Sequence, residues 1–330
     1  MPNQTEHGKA FEYACLKGLE GTIATFGQGL TCNLVDNISY KNAKDNFDNL
    51  TVHAHKELLL KAGLVMASRL KDLEPRLIYP VKGFKDIITL EIQPDKKGIE
   101  GDVRDVLAIR IFMKSEKNNW ELGISCKHNH YDLKHPRISP RIDIGKQWLK
   151  LDSSKLYLNN ISLIFLKLDS VKNSGVTSWA GITNKDTLIY KPLMDEIKNE
   201  ILRQSSTHEA IACSNLLKYF IGEKDFYKVI VEHKKHSVCL QAFNFNGTLN
   251  QPAGKQKAAH NFPIPTLPTQ IYNIGFDKDS NSTFTINMDK GWGLSLRIHS
   301  ASSKIEDSLK LAVKLVGIPE AQCRENLPIT

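Results

Sequence analysis

No stretch of about 18 consecutive apolar residues occurs in the 330-residue chain, so the sequence offers no membrane-spanning helix. The opening Met1-Pro2-Asn3-Gln4-Thr5-Glu6-His7 has no basic segment leading into an apolar core, and no secretory leader is expected. Cys15, Cys32, Cys126, Cys213, Cys239 and Cys323 include no C-x-x-C pair and are too sparse for a disulfide scaffold. They are expected to be reduced thiols in a cytosol. No Pro/Gly/Ser-rich linker, internal repeat or low-complexity tract divides the chain. What is present is an ordinary globular composition, 41% hydrophobic and 24% charged, with a net charge of +8. The charge favours a polyanionic partner, although many proteins carry as much without touching one.

The pattern of apolar residues predicts a mixture of helices and strands. Ala10, Phe11, Ala14, Cys15 and Leu19 recur at helical spacing over 9–19. Leu58, Leu59, Ala62, Val65, Met66 and Leu70 do the same over 53–70, before Glu74-Pro75 breaks the run. These two helices are expected to cover one face of a sheet. Strands are predicted at 87–92, 105–111 and 120–127, the last two joined by a turn at Lys117-Asn118-Asn119. Segment 157–168 is open between helix and strand, and 184–204 is predicted helical. Strands follow at 228–232 and 237–243, then a turn at Asn246-Gly247, a loop over 252–268, a strand at 294–299 and a helix over 305–316.

The residues able to do chemistry sit on the 105–111 and 120–127 strands. Alternation puts Glu121, Gly123, Ser125 and Lys127 on one face and Leu122, Ile124 and Cys126 on the other. Lys127 is then set beside an acid of the neighbouring strand. A carboxylate that binds a metal beside an ammonium that answers developing phosphorane charge is the pairing that phosphodiester hydrolysis needs. An Asp at a strand start and a Lys at a strand end are also commonplace. The surroundings add weight: residues 114–150 carry eight Lys or Arg against four Asp or Glu, interleaved with Trp120, Tyr131 and Trp148.

The blocks His7-Gly8-Lys9-Ala10-Phe11-Glu12-Tyr13, Gly101-Asp102-Val103-Arg104-Asp105-Val106, Glu121-Leu122-Gly123-Ile124-Ser125-Cys126-Lys127-His128-Asn129-His130, His135-Pro136-Arg137-Ile138-Ser139 and Arg297-Ile298-His299-Ser300-Ala301-Ser302-Ser303 resemble the HaeIII-type restriction endonucleases of the PD-(D/E)XK nuclease superfamily. The resemblance implies an α/β (α+β) fold with a central mixed β-sheet flanked by helices and an additional C-terminal lobe. It also implies Mg²⁺-dependent cleavage of double-stranded DNA at the palindrome GGCC. By position, Asp105 matches the motif aspartate, with Asp102 as fallback, Lys127 the motif lysine, and Glu12 the first-helix glutamate. The expected division is 1–150 as nuclease core and 151–330 as its continuation with recognition elements, in one compact domain or two. A DNA methyltransferase protecting the host site and a homodimer on the palindrome are the implied partners.

One position departs from the superfamily pattern: Ser125 stands where a carboxylate is expected, and serine is a poorer Mg²⁺ ligand. Glu12 or Glu121 must supply the oxygen, or water must. Glu121 shares the Lys127 face but lies about 20 Å away at strand rise, which favours Glu12. His128 and His130 lack the partners of a zinc site and, with Asn129, suit phosphate contacts better. An HNH-type hairpin would leave Asp105 and Lys127 unexplained. Guanine recognition falls to Arg137, Arg141 or Arg297. The competing readings are a repair or recombination nuclease of the same superfamily and a DNA-binding protein that no longer cuts.

Overall fold

The computed structural model describes residues 4–99, 101–114, 119–300, 302–319 and 323–330. The chain forms two compact units, drawn alternately from the sequence: Met1–Tyr131, Lys224–Pro265 and Ala321–Thr330 make the first, Asp132–Glu223 and Thr266–Glu320 the second.

In the first unit the predicted helices are present and longer than their apolar stripes alone suggest: α1 spans Gln4–Phe26 and α3 spans His53–Leu73. Between them α2, Ile38–Asp48, begins where the Asn37 side chain accepts a hydrogen bond from the Tyr40 amide and so caps the first turn. Helices α1 and α3 pack backbone to backbone at Gly18 and Gly63. A Cβ on either glycine would lie 2.2 Å from a carbonyl oxygen of the other helix, so no larger residue fits that crossing.

The sheet of this unit has seven strands in the order β1-β2-β3-β4-β7-β8-β13, numbered along the chain. They are β1 (Thr31–Leu34), β2 (Ile87–Ile92), β3 (Val106–Arg110), β4 (Trp120–His128), β7 (Phe226–Glu232), β8 (Ser237–Phe243) and β13 (Arg324–Pro328). The β1/β2 and β4/β7 pairs are parallel and the rest antiparallel, so the sheet is mixed, as expected. Ile88, Leu90, Val106, Leu122, Ile124 and Val229 share one buried core with Phe11, Cys15, Leu59, Met66 and Leu70 of α1 and α3. That burial is the driving force for docking the helices on the sheet, at roughly 25 cal/mol per Å² of apolar surface removed from water. Of the predicted turn between β3 and β4, Lys117 and Asn118 lie outside the described residues. The Asn119 side chain accepts a hydrogen bond from the Phe112 amide at 3.1 Å.

The second unit carries a sheet in the order β5-β12-β11-β10-β9, with β6 also paired to β12 and every pairing antiparallel. Its strands are β5 (Asp132–Lys134), β6 (Arg137–Ile138), β9 (Ile271–Phe276), β10 (Thr283–Met288), β11 (Gly293–His299) and β12 (Leu309–Gly317). Segment 157–168 falls inside helix α4, Lys155–Asn173, started by Ser154 accepting from the Tyr157 amide. Helix α5, Lys191–Ile221, packs against β5, β9 and β10. One sequence expectation is overturned here. The helix over 305–316 is strand β12, in which Leu309, Leu311 and Val313 are buried and alternate with the less buried Lys310 and Lys314. A period of two, satisfied by strand partners on both edges, defeats the helical reading.

Candidate active site

The site assembles where β3 begins and β4 ends, in the first unit. Asp105 is the residue before β3, and its backbone is already in the ladder: its amide donates to Ile124 O at 2.7 Å and its carbonyl accepts from the Gln93 amide at 2.9 Å. Pinned between two strands, its carboxylate leans over β4. There Oδ2 accepts from the Cys126 backbone amide at 2.7 Å, from Ser125 Oγ at 3.3 Å and from Lys127 Nζ at 3.5 Å. All three contacts use the same oxygen. Ser125, at the position where a metal-binding carboxylate was expected, thus donates a hydrogen bond to the aspartate.

Glu12 reaches the same place from α1. It is buried, and burial first, then the charge of Asp105, pushes its carboxyl up to about 8 against the opposing pull of Lys9 and Lys127. Lys9, one turn earlier, lies 3.1 Å from the Glu12 carboxylate and 2.5 Å from Asp95 Oδ1. Burial disfavours the Lys9 charge, but Glu12 and Asp95 together hold its pKa above the usual lysine range. Three carboxylates, of Glu12, Asp95 and Asp105, and the ammonium groups of Lys9 and Lys127 therefore meet at one end of the sheet. Lys9 and Asp95 were not singled out from sequence. Lys9 shares the Glu12 helix face at i, i+3, a usable signal, whereas nothing local marks Asp95.

The alternative carboxylates go elsewhere. Asp102 and Glu121 both bind Arg104, at 2.7 and 2.8 Å, and Arg104 is only 6% exposed. Burial works against the Asp102 charge, yet Arg104 keeps that carboxyl below its ordinary range. The arginine lies across Gly123, where a Cβ would sit 2.0 Å from Arg104 Cδ. The polar face of β4 is thereby divided: Glu121 belongs to the Arg104 cluster, Ser125 and Lys127 to Asp105.

His128 occupies the opposite side of the strand, as alternation requires. Its Nε2 is 3.1 Å from His55 Nε2, and its ring stacks on His7 with centroids 5.0 Å apart. Burial, then the neighbouring imidazoles, lowers its pKa to about 4. His233 closes on His55 at 5.0 Å, so histidines from four helix or strand ends pack ring against ring. Asn129, at φ 59°, ends β4, and its Oδ1 accepts from the His233 amide at 2.8 Å. That bond gives Asn129 a turn-forming job, while His130 follows it directly.

In the second unit the three arginines differ. Arg137 is held by Glu306 at 3.0 Å and Ser308 at 2.6 Å. Arg141 lies in an exposed turn after β6. Arg297, on the central strand β11, is exposed and has no hydrogen-bond or ion-pair partner among the described residues. In the loop after it, Ala301 lies outside the described residues.

The Glu12, Asp105 and Lys127 set fits a hard, oxygen-seeking divalent cation. The charge of Asp105 raises the pKa of Glu12, an unfavourable proximity that a bound divalent cation would relieve. Among the described residues no helix is long and apolar enough to cross a membrane.

Comparison with known proteins agrees with the motif blocks. The family model described as HaeIII restriction endonuclease matches residues 8–319, a span that holds the β3/β4 site, Glu12 and Arg297. The Type II restriction enzyme HaeIII of Haemophilus aegyptius is 38% identical over 320 residues, 97% of this chain and 96% of that protein. No solved structure matches. The chain belongs to the HaeIII restriction endonuclease family and is a type II site-specific deoxyribonuclease.

Proposed function

We propose that this endonuclease cuts duplex DNA at GGCC with Mg²⁺ held by Asp105 and Glu12, and that Lys127 acts in the chemical step. The observation that carries the reading is the convergence on Asp105: Lys127 Nζ stands 3.5 Å from its Oδ2, and its charge is felt by the buried Glu12. The cation supplies charge neutralisation at the scissile phosphate and a water of lowered pKa. The protein does the rest. The Cys126 amide and Ser125 hydroxyl fix the rotamer of Asp105 through Oδ2, and its carboxylate, with that of Glu12, would hold the cation. Lys127, tethered by the same carboxylate, sets its ammonium where negative charge grows on the phosphorus oxygens. Water attacks phosphorus, one P–O ester bond breaks, and the departing oxygen takes a proton.

A four-base palindrome is read most simply by two protomers related by a twofold axis, so the DNA-bound form is proposed to be a homodimer. Such an enzyme works in a prokaryotic cytoplasm beside a methyltransferase that modifies the same sequence. Digestion of a plasmid of known sequence tests the reading. Discrete fragments ending at GGCC, lost on chelation and on prior methylation of GGCC, are expected. Metal-independent cutting or a sequence-blind smear overturns it.

A further inference from the structure

The sheet of the second unit has two unlike faces. One packs Phe284, Ile286, Leu294, Leu296 and Val313 into the interior. The other carries Thr283, Thr285, Ser295, Arg297, Lys310, Ala312 and Lys314, of which Ala312 is buried, the polar residues are at most half-buried, and Arg297 and Lys314 are exposed. The register places Arg297 opposite Ala312 on one side and Thr283 on the other, with Ser295 beside Lys314 and His299 beside Lys310. Arg297 is therefore a long cationic side chain standing among short ones on a central strand. The acids of this region already have partners: Glu306 holds Arg137, Asp132 lies 3.8 Å from Lys314, and Asp277 accepts from Thr285. None of them meets Arg297.

An exposed arginine gains nothing from isolation in the free protein, and a fork of five donors is suited to a planar pair of acceptors. Five strands about 4.8 Å apart span about 19 Å, too wide to enter a major groove about 12 Å across, so such a face lies on duplex DNA and reads it only through projecting side chains. The hydroxyls and flanking lysines suit phosphates, and the one tall, unpaired guanidinium suits guanine O6 and N7.

We propose that Arg297 reads a guanine of the recognition sequence from the outward face of the β9–β12 sheet. The assignment rests on the GGCC reading above. It is tested by fluorescence anisotropy without divalent metal, comparing the intact enzyme, R297A and R297K on a GGCC duplex, a scrambled duplex, and a GGCC duplex whose guanines are replaced by 7-deazaguanine. The intact enzyme should prefer GGCC and weaken on the 7-deaza duplex. R297A should lose about 10- to 100-fold on GGCC, little on the scrambled duplex, and the 7-deaza penalty should shrink. R297K keeps the charge but not the fork, and should likewise lose discrimination while holding non-specific affinity. Because Arg297 has no partner among the described residues, neither variant should shift thermal unfolding. An equal loss on both duplexes marks a phosphate contact and overturns the assignment, as does an undiminished preference in both variants. An intact enzyme with no preference for GGCC overturns the GGCC reading itself, and the assignment with it.

Discussion

Replacing Glu12 by Gln should stabilise the metal-free protein while removing its activity. The folded chain holds this carboxyl at about 8, against an ordinary value of 4.5, because it is buried and faces Asp105. Below pH 4.5 it is protonated in both folded and unfolded chains and has no effect on their balance. As pH rises from there the unfolded chain ionises first, so stability falls, and the loss is complete once pH passes the folded value. The full linkage is about 5 kcal/mol for a shift from 4.5 to about 8. Glutamine also gives up the charged contact with Lys9, so a net gain of about 2 kcal/mol at pH 8.5 is a fairer expectation. For a unit of this size that raises the melting temperature by about 4–8 °C. Differential scanning calorimetry of both proteins in EDTA, from pH 4.5 to 9, measures it. The gap should open with rising pH and vanish at the acid end, while plasmid cleavage by E12Q falls by at least about 100-fold. An E12Q protein no more stable than the original at pH 8.5, or a gap independent of pH, refutes the reasoning about this carboxyl.

Three further outcomes are expected. Lys127→Ala should lower single-turnover cleavage by about 10³-fold while gel-shift affinity for DNA changes little, since the side chain is engaged by Asp105 within the site. Gly123→Ala should lower the melting temperature by several degrees: its Cβ must displace Arg104, which separates the Asp102 and Glu121 carboxylates from their shared cation and costs about 3 kcal/mol. His128 is held near 4 by burial and its neighbouring imidazoles, below its ordinary 6.5. Stability should therefore drop as pH falls from 6.5 towards 4, where the unfolded chain takes up a proton that the folded chain refuses, and His128→Asn should flatten that limb of a urea-denaturation pH profile.

The pairing of Asp105 with Lys127 was legible because it is nearly local. Two strands joined by a short connection must pair antiparallel, and the register Val106 to Ile124 brings position 105 alongside 125–127. Helix α1 was legible from its apolar stripe. That Glu12 dips into the same site was supported by the motif and by strand arithmetic, not by the helix pattern, which says nothing about the docking angle. The Arg104 cluster was hidden because it depends on an absent side chain, Gly123, over which the arginine crosses. The histidine cluster was hidden because His7, His55, His128 and His233 come from distant segments that only the tertiary fold collects. Strand β12 was misread because Lys310, Lys314 and the apolar residues around them satisfy both a helical and an alternating pattern, and only pairing with β11 decides between them. The interleaving of the two units, with β7, β8 and β13 returning to the first sheet, has no local signature at all.

The most direct test of the central claim is end mapping of a plasmid digested with Mg²⁺ by the intact enzyme and by Asp105→Asn. The account predicts that every end produced by the intact enzyme lies in GGCC and that Asp105→Asn yields no such ends at the same metal concentration. Ends spread over unrelated sequences, or an Asp105→Asn protein that cuts GGCC at the original rate, would contradict it.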